Sequence, residues 1–205
     1  MKCGRGTDAL QLCRPGRLVV GLEPSRAMLR QAKKNGAGNR LLLVQGVAEQ
    51  PPFKTGVFDR IVCKGAIDHF SNPALCVYRL CSRLKPGGKL VVAVANFESL
   101  SCWLARRFSP IAQTLKGKGS AHREFWEPPE DHLHLFHYAN LKMLLGRHCS
   151  LEKMEGLSLM WGFPHWGDFL DRLPRGMAQG ILKVMDSVAS RMPFFGDVIL
   201  AVARR

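Results

Sequence analysis

The chain has 205 residues, 46% of them hydrophobic and 22% charged, with a formal net charge of +14. This composition is that of a globular protein and excludes a disordered tail, a collagen or a coiled coil, and the length suits one domain at about 150 residues per domain. The longest apolar stretch, Leu90 to Phe97, is interrupted by Asn96 and falls well short of the roughly 20 residues that cross a bilayer.

The opening residues, Met1-Lys2-Cys3-Gly4-Arg5-Gly6, have no apolar segment after their charge. No secretory signal is therefore expected, and the predicted compartment is the cytoplasm. Gly4-Arg5-Gly6 opens a helical stretch from Thr7 to Cys13. Leu18 to Leu22 then reads as a strand, Glu23-Pro24-Ser25 as a turn, and the next residues as a helix through Met28, Leu29 and Ala32 that stops near Asn35-Gly36. Leu41 to Gln45 and Phe58 to Cys63 read as two more strands. Pro73 to Leu84 repeats Leu75, Val77, Leu80, Cys81 and Leu84 at helical spacing, and Lys85-Pro86-Gly87-Gly88 breaks it before the strand Leu90 to Val94.

The second half is less regular. Ser99 to Phe108 and Tyr138 to Arg147 read as helices, Lys116 to Ser120 as a mobile loop, Phe163 to Met192 as one or two helices, and Asp197 to Val202 as a last strand. Strands apolar on both faces, with helices or long crossings between them, predict an α/β fold: a Rossmann-like, mostly parallel sheet with helices on both faces. The expected organisation is a core over residues 1–98, a helical cap and later helices over 99–196, and a final core strand over 197–205. Seven cysteines, an odd number without zinc-site spacing, predict reduced and mostly buried thiols.

In open sheets of this class ligands sit beyond the carboxyl ends of the strands. Glycines ahead of a helix let a ligand approach the backbone, and a carboxylate ending the next strand can accept hydrogen bonds from both ribose hydroxyls. Gly4, Gly6 and Glu23 have that placement and imply a nucleoside-containing cofactor. Alternate histidines in His132-Leu133-His134-Leu135-Phe136-His137 could share one strand face, but no Cys or carboxylate completes them at a characteristic spacing, so no metal is expected. The aromatic and Met cluster from Trp161 to Phe195 reads as core and lid packing, with a greasy acceptor lid or a peripheral membrane contact as the alternatives.

These residues resemble the class I S-adenosylmethionine-dependent methyltransferases, in particular the group related to quinone-biosynthesis methyltransferases. Cys3-Gly4-Arg5-Gly6 is similar to the end of the family's glycine-rich first motif, and Val20 to Ser25 to its second strand with the ribose-binding acid. Gln45 to Glu49 resembles the loop flanking the adenine, Phe58 to Val62 with Asp68-His69-Phe70 the fourth strand and its continuation, and Leu84 to Leu90 the turn into the fifth. The family has a further strand, ending in an acid and a glycine, ahead of Cys-Gly-x-Gly, whereas here Met1-Lys2 stands there. The resemblance thus implies a core without its first strand, N-terminally incomplete, and with Val47 where an Asp usually sits near the adenine.

What the resemblance implies for chemistry is methyl transfer from S-adenosyl-L-methionine to a small, apolar or aromatic acceptor. Gly4, Gly6, Glu23, Ala48, Glu49, Lys64 and Gly65 would line the cofactor, and His69 and His132, with His134 or His137 as alternatives to the latter, are the candidate bases, because an unperturbed imidazole titrates near pH 6.5. Two alternatives stay open. One is a binding protein that keeps the scaffold without catalysis. The other is a nucleic-acid methyltransferase, motivated by the positive charge but less favoured, because that charge is scattered rather than blocked.

Overall fold

The computed structural model describes residues 3–36, 41–116, 126–161, 163 and 165–205. From residue 117 onward, the expected mobile loop lies outside the described residues. The chain runs α1 (Thr7–Leu12), β1 (Val19–Glu23), α2 (Arg26–Lys34), β2 (Leu41–Gln45), β3 (Phe58–Lys64), a single 3-10 turn (Ile67–His69), α3 (Pro73–Arg83), β4 (Leu84–Ala95), α4 (Leu100–Lys116), α5 (Tyr138–Gly146), β5 (Ser150–Leu157), α6 (Trp166–Asp171), α7 (Arg175–Arg191) and β6 (Val198–Arg204).

Two sheets result. β1 and β2 pair in parallel, Val19 opposite Leu41 through Glu23 opposite Gln45. The other sheet has the order β3-β4-β6-β5, with β3 and β4 parallel and both contacts of β6 antiparallel. No strand among the described residues pairs with the second edge of β1 or of β3. Only the Cys3 N–H reaches the β1 edge there, donating to the Leu22 carbonyl at 3.0 Å.

The helix starts follow from their sequences. The Ser25 hydroxyl accepts the Met28 N–H at the head of α2, and the Asn72 side chain accepts the Leu75 N–H at the head of α3, whose first residue is Pro73. Burial alternates along the central strands. Ile61 and Cys63, Leu90, Val92 and Val94, and Ile199, Ala201 and Ala203 form one core with Leu80 of α3 and Leu141 and Leu145 of α5. On the opposite face Val62 is 43% exposed, so β3 is covered less completely there than a strand buried on both sides would be.

Two expectations change. Ser150–Leu157 is an edge strand with a register shift between Leu151 and Lys153, where helices were expected to dominate; its Glu152, Lys153 and Glu155 hide the apolar alternation, as charged edge strands do. Cys81 and Cys149, expected as reduced thiols, form a disulfide across 68 positions, while Cys3, Cys13, Cys63, Cys76 and Cys102 are free. The pairing joins the end of α3 to the residue before β5, a proximity only the tertiary fold creates. No helix among the described residues is long and apolar enough to cross a membrane.

Candidate active site

Two clusters sit at the carboxyl ends of the parallel strands. At the end of β1, Glu23 is 3% exposed. Its carboxylate accepts the Gly4 N–H at 3.0 Å and the Ser25 N–H at 3.1 Å, one on each oxygen. The segment from Cys3 to Gly6 thus closes onto the strand end: a Cβ on Gly21 would meet the Cys3 sulfur at 2.9 Å. Burial and then the Glu23 carboxylate push the Cys3 thiol above its ordinary value.

The two glycines of this segment differ. Both have left-handed backbones, φ +54° at Gly4 and +77° at Gly6. A Cβ on Gly4 would meet nothing within 4 Å, whereas one on Gly6 would lie 3.1 Å from the Ala32 Cβ and 3.7 Å from Leu41. Gly4 borders open space; Gly6, just ahead of α1, lies close against Ala32 of α2 and Leu41 of β2.

The remaining expected cofactor residues are placed variously. Ala48 is buried in the core, and the Glu49 carboxylate accepts the Ser71 N–H at 3.2 Å. Burial first, and Glu49 second, push the thiol of neighbouring Cys76 up to about 12. Lys64 forms a well-exposed ion pair with Asp8 of α1 at 3.0 Å, and Gly65, with φ +53°, borders open space.

The second cluster lies beyond β3. Asp68, in the 3-10 turn, is 3% exposed, with His69 and His132 on either side. The His132 Nδ1 is 3.3 Å from the Asp68 Oδ2, and the His69 Nε2 is 3.9 Å from its Oδ1. The two imidazoles meet edge to face, centroids 4.6 Å apart, and the Phe97 ring just past β4 lies 5.7 Å from His132. His132 reaches this place because the Asp68 carbonyl accepts the N–H groups of Leu133 at 2.9 Å and His134 at 3.0 Å. His137, by contrast, caps α5 and faces Glu98. Asp68 itself was not singled out as a site residue from the sequence; the only signal was its place beside His69 after a strand.

Residues 1–92 match the family of the methyltransferase domain. Over these residues the chain is similar to the methyltransferase domain. Among its relatives is the ubiquinone biosynthesis O-methyltransferase of Xanthomonas oryzae pv. oryzae, 28% identical over 133 residues, which are 62% of this chain and 55% of that protein. The protein of the same description from Sodalis glossinidius is 31% identical over 106 residues, 50% of this chain and 42% of its own. The chain thus spans about half the length of the curated relatives it matches. The methyltransferase fold is shared with magnesium protoporphyrin IX methyltransferase from Synechocystis, solved with bound SAH, at a TM-score of 0.61, 15% identity and coverage of 100% of this chain and 71% of that one. A further methyltransferase, from Mesorhizobium loti, aligns at a TM-score of 0.59 and 17% identity, covering 99% of this chain and 88% of its own.

Proposed function

We propose that this protein is a class I methyltransferase that moves a methyl group from S-adenosylmethionine to an oxygen of a small apolar or aromatic acceptor. The observation that carries the reading is the hydrogen bond from the Gly4 N–H to Glu23, which fixes the glycine segment and the strand-end acid as one unit. The residues fit the cofactor. A carboxylate offers about four lone-pair sites, and Glu23 uses two of them on Gly4 and Ser25, which leaves two for a pair of ribose hydroxyls. Gly4 leaves space where a Cβ would stand. The cofactor supplies a methyl group already activated on a sulfonium.

The chain's own part is then placement and proton transfer. The acceptor oxygen must be held about 3 Å from the methyl carbon. His69 donates its Nδ1 hydrogen to the Asp131 carbonyl at 2.8 Å, since a carbonyl can only accept. In the neutral ring its Nε2 then carries the lone pair, and with His132 and the Asp68 carboxylate it forms the place to which the acceptor's proton would go. An oxygen acceptor is supported by the relatives from Xanthomonas oryzae and Sodalis glossinidius, both O-methyltransferases by name.

Calorimetry with S-adenosylmethionine and its demethylated product, followed by methyl transfer to a dihydroxybenzene, tests the reading. Saturable heat with both ligands and labelled methyl ether are expected. A folded protein giving no heat at millimolar ligand would overturn it in favour of a scaffold without catalysis. Methyl incorporation into RNA or DNA, with binding that weakens steeply as salt rises, would overturn it in favour of a nucleic-acid substrate.

A further inference from the structure

We propose that the Cys81–Cys149 disulfide is a thiol-operated clamp that keeps the His132 segment seated on Asp68. Cys81 lies in the last turn of α3, and Cys149 directly precedes β5. The Leu145 carbonyl accepts the N–H groups of His148 at 3.1 Å and Cys149 at 3.0 Å, so Cys149 is carried on the carboxyl end of α5. The disulfide therefore ties that end of α5 to α3.

The amino end of α5 is tied to the same unit in another way. The Asn140 side chain accepts the His137 N–H at 2.8 Å and donates to the Leu135 carbonyl at 2.9 Å, which joins the preceding segment to the helix. In that segment Leu133 and His134 donate to the Asp68 carbonyl, in the 3-10 turn just ahead of α3. The path from Asp68 through α3, the disulfide, α5 and the His132 segment thus closes on itself. One closure is covalent; the other consists of two hydrogen bonds. Between them, Leu141 and Leu145 are buried in the core that they share with Leu80 of α3.

The two closures differ in what opens them. Backbone hydrogen bonds of a surface segment open and close by local fluctuation, and Leu133 and Leu135 are exposed there. A cross-link over 68 positions instead restricts every opened form of the chain between its ends, and that chain includes the His132 segment. With the bond intact, an opened segment stays near its seat and closes again. With it broken, the carboxyl end of α5 is held by side-chain packing, including the edge contact of His148 with Tyr78 at 5.8 Å between centroids.

Cys81 is 4% and Cys149 8% exposed, so an external thiol enters as this end of α5 moves outward. The Arg79 guanidinium lies 5.9 Å from the Tyr78 ring centroid, which sets a cation at the junction, and a cation nearby favours a departing thiolate. Reduction by a dithiol proceeds by exchange. Its thiolate bonds to the sulfur of Cys149, the less buried of the two, and the disulfide breaks with its electron pair passing to the Cys81 sulfur, which takes up a proton. The second thiolate of the reductant then displaces the Cys149 sulfur, which is protonated in turn. The dithiol leaves as a cyclic disulfide, having given the protein two electrons. The clamp stands on these bonds alone; only its consequence for catalysis rests on the methyl-transfer reading.

The test equilibrates the full chain with oxidised or reduced dithiothreitol, maps the link by mass spectrometry of a non-reducing digest, and follows amide hydrogen exchange and melting temperature. The Cys81–Cys149 link is expected in the oxidised protein. Reduction should speed exchange at Leu133 and His134 by about tenfold or more and lower the melting temperature by about 10 °C. The double variant Cys81→Ala with Cys149→Ala should match the reduced protein and ignore the reductant, whereas Cys13→Ser, at a thiol outside the disulfide, should respond as the unaltered protein does. Should the double variant not fold by circular dichroism, the reduced unaltered protein decides. Absence of the link after oxidation, or exchange at Leu133 and His134 indifferent to reduction whatever the melting temperature does, would overturn the clamp. Calorimetry with S-adenosylmethionine in both redox states keeps the two readings apart, since redox-dependent exchange without cofactor binding ends only the methyl-transfer reading.

Discussion

Glu23 and Asp68 are buried to the same degree, 3% exposed each, and one ends a parallel strand while the other follows one, yet they are opposite in what surrounds them. Glu23, in the two-stranded unit, is engaged at both oxygens by its own backbone: Gly4 and Ser25 supply one donor to each. Asp68, beside the four-stranded sheet, keeps an oxygen with no hydrogen bond and faces two imidazoles. The first carboxylate organises the chain around it. The second is held ready by its surroundings, with its backbone carbonyl rather than its side chain bearing the structural bonds. A buried acid is therefore read best by what it leaves unpaired, because native structures leave few such atoms without a reason.

The largest consequence of this contrast falls on Glu23. In Glu23→Gln one oxygen becomes an NH2 group, so a donor is forced against the Gly4 or the Ser25 N–H. Losing a charge-assisted hydrogen bond and stranding a buried donor should cost about 3 kcal/mol, seen as a lower denaturant midpoint without any ligand present. A midpoint equal to that of the unaltered protein would show that the carboxylate has no organising role, and the contrast with Asp68 would collapse.

A smaller effect separates the neighbouring glycines. Gly6→Ala forces a left-handed alanine, about 1–2 kcal/mol, and also brings its Cβ to 3.1 Å from Ala32, so a total of about 2 kcal/mol is expected in chemical denaturation. Gly4→Ala carries the backbone term alone, about 1 kcal/mol, because nothing lies within 4 Å of its Cβ. Its larger effect should be on S-adenosylmethionine affinity measured by calorimetry. Equal losses of stability in the two variants would mean that the segment packs uniformly, without an open side at Gly4.

The difference between these glycines also shows where reading the residues alone stops. Leu41 to Gln45 was legible as a strand because its apolar run is continuous, and α3 because Leu75, Val77, Leu80 and Leu84 repeat at helical spacing. The charges of β5 concealed it, since an edge strand needs no apolar run on both faces. Spacing placed Glu23 near Gly4 and Gly6 but could not say that Gly6 lies close against Ala32 across the fold. The histidines at 69 and 132 were both legible as candidates for proton transfer. That they share Asp68 was not, because no local pattern spans that separation; the two N–H groups on the Asp68 carbonyl create it.

The smallest expected change is the one that tests the contrast most directly. Asp68→Asn replaces an incompletely bonded buried charge with a neutral group of the same shape, and the backbone bonds to the residue 68 carbonyl do not involve the side chain. The denaturant midpoint should therefore stay the same or rise, by about 1 kcal/mol at most, whereas the matching amide at position 23 lowers it. A fall of several kcal/mol in the Asp68→Asn protein would instead mean that the carboxylate is paired with a protonated His132 as part of the fold. Its likeness to Glu23 would then extend from burial to purpose.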